Sequence, residues 1–498
     1  MFKLVLLPLD ERPCNYNFPR LISEGLDNIE LVLPPRGVLG EKKRPADFCA
    51  LREFLRESCR DASGLILSLD MLLYGGIVPS RLHSLPREEL EARLELIAEL
   101  KASNPDLRIS AFGLIMRCPT YSSSDEEPDY YAECGREIFL TGELIDRYRA
   151  GLVPDGEYRQ RLSVLSEKTK GCLKDYLGRR ALNLELLISA AGMLGKEIDR
   201  LVIPQDDSSP YGYTAMDQVR LRSALAKLGA APLMYPGADE VGMVLFAEFC
   251  NRLAGRCPSV KVTYAAPGAE QIVPLYEDRA LFKSVASQIE SAGCRQTDRS
   301  ENADILLFVN APAGRMVSAG ERSNEGYAAR DLHAFVDSIE HAVCEGRRVA
   351  VADVAYCNGG DPELAEILER RGLLFRLAAY AGWNTSSNTL GTAIAQAVCG
   401  LGQRDDTARE SFLALRYFED LGYCAHVRRE VCEVDLPAMG LDYFHVDGCE
   451  GRAAQIVQRR LTRYMQFRYP KVTERYELAG CRLPWKRMFE VELTVRPR

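Results

Sequence analysis

Short apolar runs alternate with amphipathic stretches along most of this chain. KLVLLPLDERP is followed by IELVLPPRG and then by DFCALREFLRESC, which has a helical texture. GLILSLDMLLYGG comes next, ahead of PREELEARLELIAELKASNP, where Leu90, Leu94, Ile97 and Leu100 share one face at helical spacing. RISAFGLIMRCP precedes a mostly helical insertion placed around residues 119–195. The alternation resumes with RLVIPQDDSSP, APLMYPGADE, VKVTYAAPG, ADILLFVNAP, RVAVADVAYCNGGD and LLFRLAAYAGWN. Runs that are apolar throughout, rather than at every second position, belong to strands buried on both faces. The pattern therefore predicts parallel sheet covered by helices.

The expected fold is α/β: a (β/α)8-like barrel carrying the helical insertion, with doubly wound parallel sheets as the alternative. Polar residues follow almost every run instead of those at one switch point, which favours the barrel. The texture changes past residue 404, where ALRYFEDLGYCAHVRREV reads as helix and EVELTVRPR alternates like a terminal strand. Residues 1–404 are thus expected to form a barrel-like catalytic domain, and residues 405–498 a smaller α+β domain.

Composition removes several classes of function. A net charge of −8 argues against a general nucleic-acid binder, which needs a basic face. The start, MFKLVLLPLDERP, has one Lys and a short apolar run ended by Asp10, Glu11 and Arg12, so it reads as a buried strand rather than a signal peptide. No apolar run reaches the roughly 18–20 residues of a bilayer span, and a cytoplasmic location without a membrane partner is expected. The sixteen cysteines form no CxxC, and the closest pair, Cys250 and Cys257, is seven apart. That spacing does not suit zinc, so they read as reduced, structural thiols. Five histidines without HxH or HxxxH spacing make a histidine metal centre equally unsuited.

Candidate chemistry sits directly after the apolar runs. Asp10, Glu11 and Arg12 follow the first; Asp70 follows LILSL, with Tyr74, Ser80 and Arg81 just beyond; Arg117 follows FGLIM. Gln205, Asp206 and Asp207 follow LVIP, Asp239 and Glu240 follow LMYPGA, and Asn310 follows LLFV. Asp353 ends VAVAD, with Asn358 and Asp361 beyond it, and Trp383, Asn384 and Asn388 follow LAAYAG. In a parallel α/β fold these positions share one edge of the sheet, where loops carry function. Each has a bland alternative, since Asp and Asn after a strand often cap the next helix. Asp207 or Ser208 suits a helix starting near Pro210 or Tyr211, and Ser387 or Asn388 suits the helix after Trp383. Capping uses one side chain, however, so the pair Asp206–Asp207 leaves a carboxylate to explain. The glycines of YGG and CNGGD match neither a P-loop nor GxGxxG, so no nucleotide site is expected.

PLDERPCN, DMLLYGGIVPSR, IPQDDSSPYG, DVAYCNGGDPEL, AGWNTSSNTLGTAIAQA and LPWKRMFEVEL together resemble the bacterial family of domain of unknown function 4127. The resemblance implies kinship and no particular chemistry. The paired aspartates are also similar to those of hexosaminidases that use the substrate's acetamido group.

These observations favour a glycoside hydrolase-like enzyme acting on an N-acetylated or acidic sugar. Asp206 and Asp207 would be the catalytic pair, with Asp239 or Glu240 as the alternative acid. Asp10, Asp70, Asn384 and Asn388 would bind hydroxyls, Trp383 would offer an apolar platform, and Tyr74, Gln205, Asn310, Asp353 and Asn358 would also contact the substrate. Arg12, Arg81 and Arg117 would receive an anionic group, although Arg12 and Arg81 could instead pair with nearby carboxylates and hold the rim. No cofactor or metal is needed on this reading. The alternatives are a Mg- or Mn-dependent hydrolase of a phosphorylated or amide substrate, which suits the surplus of Asp over His, and a non-catalytic sugar or metabolite binder. Homo-oligomerisation is left open.

Overall fold

The structure, a computed structural model, describes residues 1–321, 325–403 and 405–498. It divides into two compact units. The first consists of Met1–Glu11, Ile29–Gly242 and Tyr276–Asp278; the second of Arg12–Asn28, Met243–Leu275 and Arg279–Arg498. The domain boundary expected at residue 404 lies outside the described residues.

The first unit holds β1 (Phe2–Leu7), β2 (Ile29–Val32), β3 (Gly64–Ser68), β4 (Arg108–Phe112), β5 (Arg200–Gln205) and β6 (Leu233–Pro236). They pair in parallel in the order β2-β1-β3-β4-β5-β6. The chain thus adds β2 on one side of β1 and then β3 to β6 on the other, which makes the β1/β3 boundary the point where the winding reverses. Leu4 to Leu7 and Leu65 to Leu67 have no exposed surface, as uninterrupted apolar strands require. The expected helix over 86–105 forms at Arg87–Ser103 and buries the four predicted residues Leu90, Leu94, Ile97 and Leu100. The insertion is helical at Tyr131–Arg149, Asp155–Ser163 and Glu167–Ala191. Its Tyr131, Ile138, Leu173 and Tyr176 form one core with Met116 and Cys118, just beyond β4, and with Tyr213.

The second unit holds β7 (Ser259–Tyr264), β8 (Arg295–Gln296), β9 (Ile305–Asn310), β10 (Val317–Ser318), β11 (Val349–Asp353), β12 (Tyr356–Cys357), β13 (Ala379–Ala381), β14 (Tyr476–Arg482) and β15 (Glu492–Pro497). Its main sheet is parallel, ordered β13-β11-β9-β7-β8, and so is wound in the same sequence about β7 as the first sheet is about β1. The terminal strand expected from the alternation in EVELTVRPR forms as β15, and it pairs antiparallel with β14. A single hydrophobic cluster joins Leu306, Val349 and Val351 of the sheet to Tyr417, Leu461 and Val491 of the C-terminal segment.

The α/β class with parallel sheets is therefore what the apolar runs lead one to expect. Two local readings are corrected. LLFR is a 3-10 turn at Leu374–Arg376, and only Ala379–Ala381 pairs as strand. The helix after QDDSSP begins at Tyr213 with Gly212 at its N-cap, not with Asp207 or Ser208.

Candidate functional site

In the first unit the residues beyond β3, β4 and β5 form one charged cluster. β3 runs directly into the helix Leu69–Tyr74: Ser68 Oγ accepts from the Met71 N–H at 3.1 Å, and Gly75, at φ 87°, closes the helix in the left-handed conformation. This short turn fixes Asp70 in the first helical turn, where its Oδ2 accepts from the Leu114 N–H at 2.9 Å. Asp70 is 4% exposed. Burial pushes its carboxyl up to about 7, opposed by the Leu114 N–H and the charge of Arg81.

Two buried arginines organise the cluster. Arg81 reaches Glu126 at 2.9 Å, Glu127 at 3.3 Å and Asp206 at 2.7 Å. Arg117 reaches Glu127 at 2.8 Å, Glu126 at 3.0 Å and Asp207 at 3.1 Å. The two guanidinium groups thus share Glu126 and Glu127 and divide the aspartates, one each. Arg117 is held from behind, because its carbonyl accepts from Tyr176 Oη at 2.7 Å and from Arg180 Nη1 at 2.8 Å, both on the inserted helix Glu167–Ala191. Arg180 in turn is paired with Asp217. Two cations facing four carboxylates leave an excess of negative charge, and one buried Glu127 oxygen, Oε2, has no hydrogen-bond partner among the described residues.

Successive strand residues point to opposite faces, so a regular strand would separate Asp206 from Asp207. β5 ends at Gln205, and Asp207 takes φ 42°, a left-handed turn that brings both side chains to the arginine pair. Their side chains stay 15% and 21% exposed, the most accessible aspartates of the cluster. Burial, and then the charge of Asp206, raise the Asp207 carboxyl to about 7, against the pull of Arg117 and Arg81. Gln205 is buried, and its amide donates to the Ile203 carbonyl at 2.7 Å.

The remaining candidates of this unit lie at other strand ends. Asp10 is buried beyond β1, and Asp239 and Glu240 are buried beyond β6. Glu240 Oε2 accepts from the Ala238 N–H at 3.0 Å, which anchors the turn into the helix Val241–Leu253. Tyr74 stacks on His83 with ring centroids 4.6 Å apart. Sequence reading missed Glu126 and Glu127, although the acidic run DEEPD begins only eight residues past Arg117.

In the second unit the polar residues interlock. Asn310 donates to Asp353 at 2.8 Å and Asp361 at 3.1 Å, Arg330 donates to Asn310 at 2.9 Å and to Asp361 at 2.5 Å, and Tyr380 Oη donates to Asp353 at 2.8 Å. Asp361 also caps the helix Pro362–Arg370. These groups are buried and matched to one another, the arrangement of a structural network. Burial lifts Asp353 to about 7, with the charge of Asp361 adding to it. Trp383, expected as an apolar platform or else as core, is 8% exposed, donates its ring N–H to Thr392 and meets Phe18 edge-on at 5.8 Å. The helix that follows it is capped by Thr385, not by Ser387 or Asn388. Asn384 and Asn358 both have positive φ, 52° and 62°, and the Asn358 N–H donates to the Asn384 carbonyl at 2.7 Å, so these amides shape a turn. Asn388 is buried in the first turn of that helix. Arg12 pairs with Glu490 at 3.2 Å and lies over Trp485. The residues named as one site are thus divided between the units: those beyond β3 to β5 share an ionic cluster, and those beyond β9, β11 and β13 knit the second core.

Among the described residues, no group of three Asp, Glu, His or Cys side chains is arranged to hold a metal ion, and no helix is long and apolar enough to cross a membrane. A family model described as "Protein of unknown function (DUF4127)" matches residues 4–494. A search of curated proteins finds no match. Among solved structures, a crystal structure of GanP, a glucose-galactose binding protein from Geobacillus stearothermophilus, is similar at 8% identity over 80% of this chain and 91% of that one, with a TM-score of 0.16. A likeness that loose carries no argument.

Proposed function

The chain belongs to the DUF4127 family of proteins of unknown function, and from that premise we propose that its first unit carries an acid–base hydrolase site of the glycoside hydrolase type. The observation that carries this reading is the contrast within one adjacent pair. Each aspartate faces its own guanidinium, Asp206 that of Arg81 at 2.7 Å and Asp207 that of Arg117 at 3.1 Å, but burial together with the charge of Asp206 raises the Asp207 carboxyl to about 7, where it holds a proton near neutrality. Two carboxyl groups whose surroundings differ in this way suit the two halves of a hydrolysis.

Asp207 gives its proton to the glycosidic oxygen as the bond from that oxygen to C1 breaks. Asp206 takes a proton from water, whose oxygen bonds to C1. One water is consumed, the alcohol and the sugar leave, and the proton returns to Asp207 through solvent. Arg81 and Arg117 already face carboxylates, so a neutral glycoside, N-acetylated or plain, suits the cluster better than an acidic one. Each of the four carboxylates already has a guanidinium neighbour, which favours a reaction without Mg or Mn.

The test is hydrolysis of a panel of 4-nitrophenyl glycosides by the wild type, Asp206→Asn and Asp207→Asn. Either variant should lose about 100- to 10,000-fold in kcat. The thermal midpoint should stay near wild type, because the amide still accepts a hydrogen bond from its arginine. Wild-type activity should decline above about pH 7 as Asp207 loses its proton. Loss of folding together with turnover would return the pair to scaffolding. Sugar binding without turnover in the wild type would leave a binding protein in place of an enzyme.

A further inference from the structure

A second feature lies at the amino-terminal edge of the parallel sheet in the second unit. A cavity of about 650 Å³ opens there, lined by residues that precede β11 and β13 and by the helical segments next to them. Its volume falls within the range of small-metabolite sites. Six basic side chains line it, Arg347, Arg348, Arg376, Arg409, Lys471 and Arg475, against four acidic ones, Glu369, Asp406, Glu410 and Glu474.

Most of these cations are engaged. Arg409 donates to the Phe375 and Leu377 carbonyls and pairs with Asp406 at 3.0 Å. Arg347 donates to the carbonyls of Ser300 and Ala303. Lys471 donates to the carbonyls of Glu369 and Arg370. Arg475 pairs with Glu410 and covers the Phe375 ring at 4.5 Å. Arg376 reaches Cys344 Sγ at 3.5 Å.

Arg348 differs. It is half-buried, and among the described residues its guanidinium has neither a hydrogen-bond acceptor nor an ion-pair partner. It lies against the end of the helix Ser386–Cys399, where a Cβ on Gly400 would come within 2.7 Å of its Nη1, yet no carbonyl of that helix end accepts from it. The fields of Arg409 and Arg256 add to its own, with Asp406 only partly offsetting them. A guanidinium taken partly out of water without a partner is costly unless something supplies the opposite charge.

We propose that this cavity is a binding site for a phosphate group, presented by a small organic monoester or as the free anion, with Arg348 as its principal ligand. Guanidinium offers the forked donors that a phosphate oxygen pair accepts. The surplus of basic residues around it supplies the field that draws the anion in.

The experiment is calorimetric titration of the full chain with inorganic phosphate and with phenyl phosphate, each against wild type, Arg348→Gln and Arg348→Lys. Wild type should bind with a Kd of about 1 mM or tighter. Arg348→Gln should weaken binding about tenfold or more, and Arg348→Lys should recover part of it. Tighter binding of phenyl phosphate than of inorganic phosphate assigns the site to an organic monoester, and equal binding assigns it to the free anion; both support the site. The thermal midpoint of Arg348→Gln without phosphate separates ligand binding from bracing. It should equal or exceed that of wild type, since an unmatched charge has been removed, whereas a brace at the helix end would make it fall. No binding by wild type, or equal binding by wild type and Arg348→Gln, overturns the proposal.

Discussion

At the scale of single residues, environment separates aspartates that look alike in the sequence. Asp70 and Asp206 both follow apolar strands, yet Asp70 is enclosed at 4% exposure while the Asp206 side chain keeps 15% and an arginine at 2.7 Å. The Asp70 carboxyl, at about 7, lies well above the ordinary value near 3.9. Folding therefore binds a proton at Asp70 between those two limits, and the stabilisation it confers is whole below about 4 and lost as pH rises towards 7. Asp70→Asn keeps an acceptor for the Leu114 N–H and removes the cost of ionisation. Its stability relative to wild type should be higher at pH 8 than at pH 5 by on the order of 2 kcal/mol, as read from urea unfolding at the two pH values. An equal gap at both would mean that Asp70 is ionised throughout. Glu126 and Glu127 went unrecognised as site residues for a related reason: nothing in the sequence says which arginine an acidic loop will meet.

At the scale of elements, the turns between strand and helix place the chemistry. The helix Leu69–Tyr74 leaves β3 with no intervening loop, and Gly75 ends it at φ 87°. A Cβ on Gly75 would lie 2.6 Å from the Ala46 backbone nitrogen. Gly75→Ala should consequently cost about 2–4 kcal/mol, from left-handed strain plus a backbone clash that no rotamer relieves. Urea unfolding measures this, and a cost under about 1 kcal/mol would show that the turn yields readily. Helices and strands themselves were legible, as Leu90, Leu94, Ile97 and Leu100 of one helix show. Caps were not: Thr385 caps the helix that Ser387 or Asn388 was expected to cap, and Gly212 stands at the N-cap expected of Asp207 or Ser208. A cap is set by where the preceding strand releases the backbone, and several neighbouring polar residues could satisfy the same N–H groups.

At the scale of the molecule, buried acid is a recurring feature. Asp70 and Asp207 in the first unit, and Asp353 and Asp420 in the second, are each raised to about 7, with burial the largest cause. Each holds more protons folded than unfolded between about pH 4 and pH 7, so the slope of stability against pH is negative over that window. Exposed carboxylates with lowered values, such as Asp61 and Glu99, act below it. The thermal midpoint of the whole chain should fall from pH 5 to pH 7 and level off above, in scanning calorimetry; a midpoint that climbs across that range would contradict the protonated assignment. By itself the sequence determined the α/β class, the parallel strands, the helical insertion and the polar residues at strand ends, because hydrophobic periodicity and strand burial are written locally. Tertiary structure alone decided the strand order, the division of those polar residues between two units, and the meeting of Arg81 and Arg117 with Asp206, Asp207, Glu126 and Glu127. The physical reason is range: periodicity acts over a few residues, whereas an ion pair between Arg81 and Asp206 spans 125 positions and exists only once the sheet has brought its strand ends together.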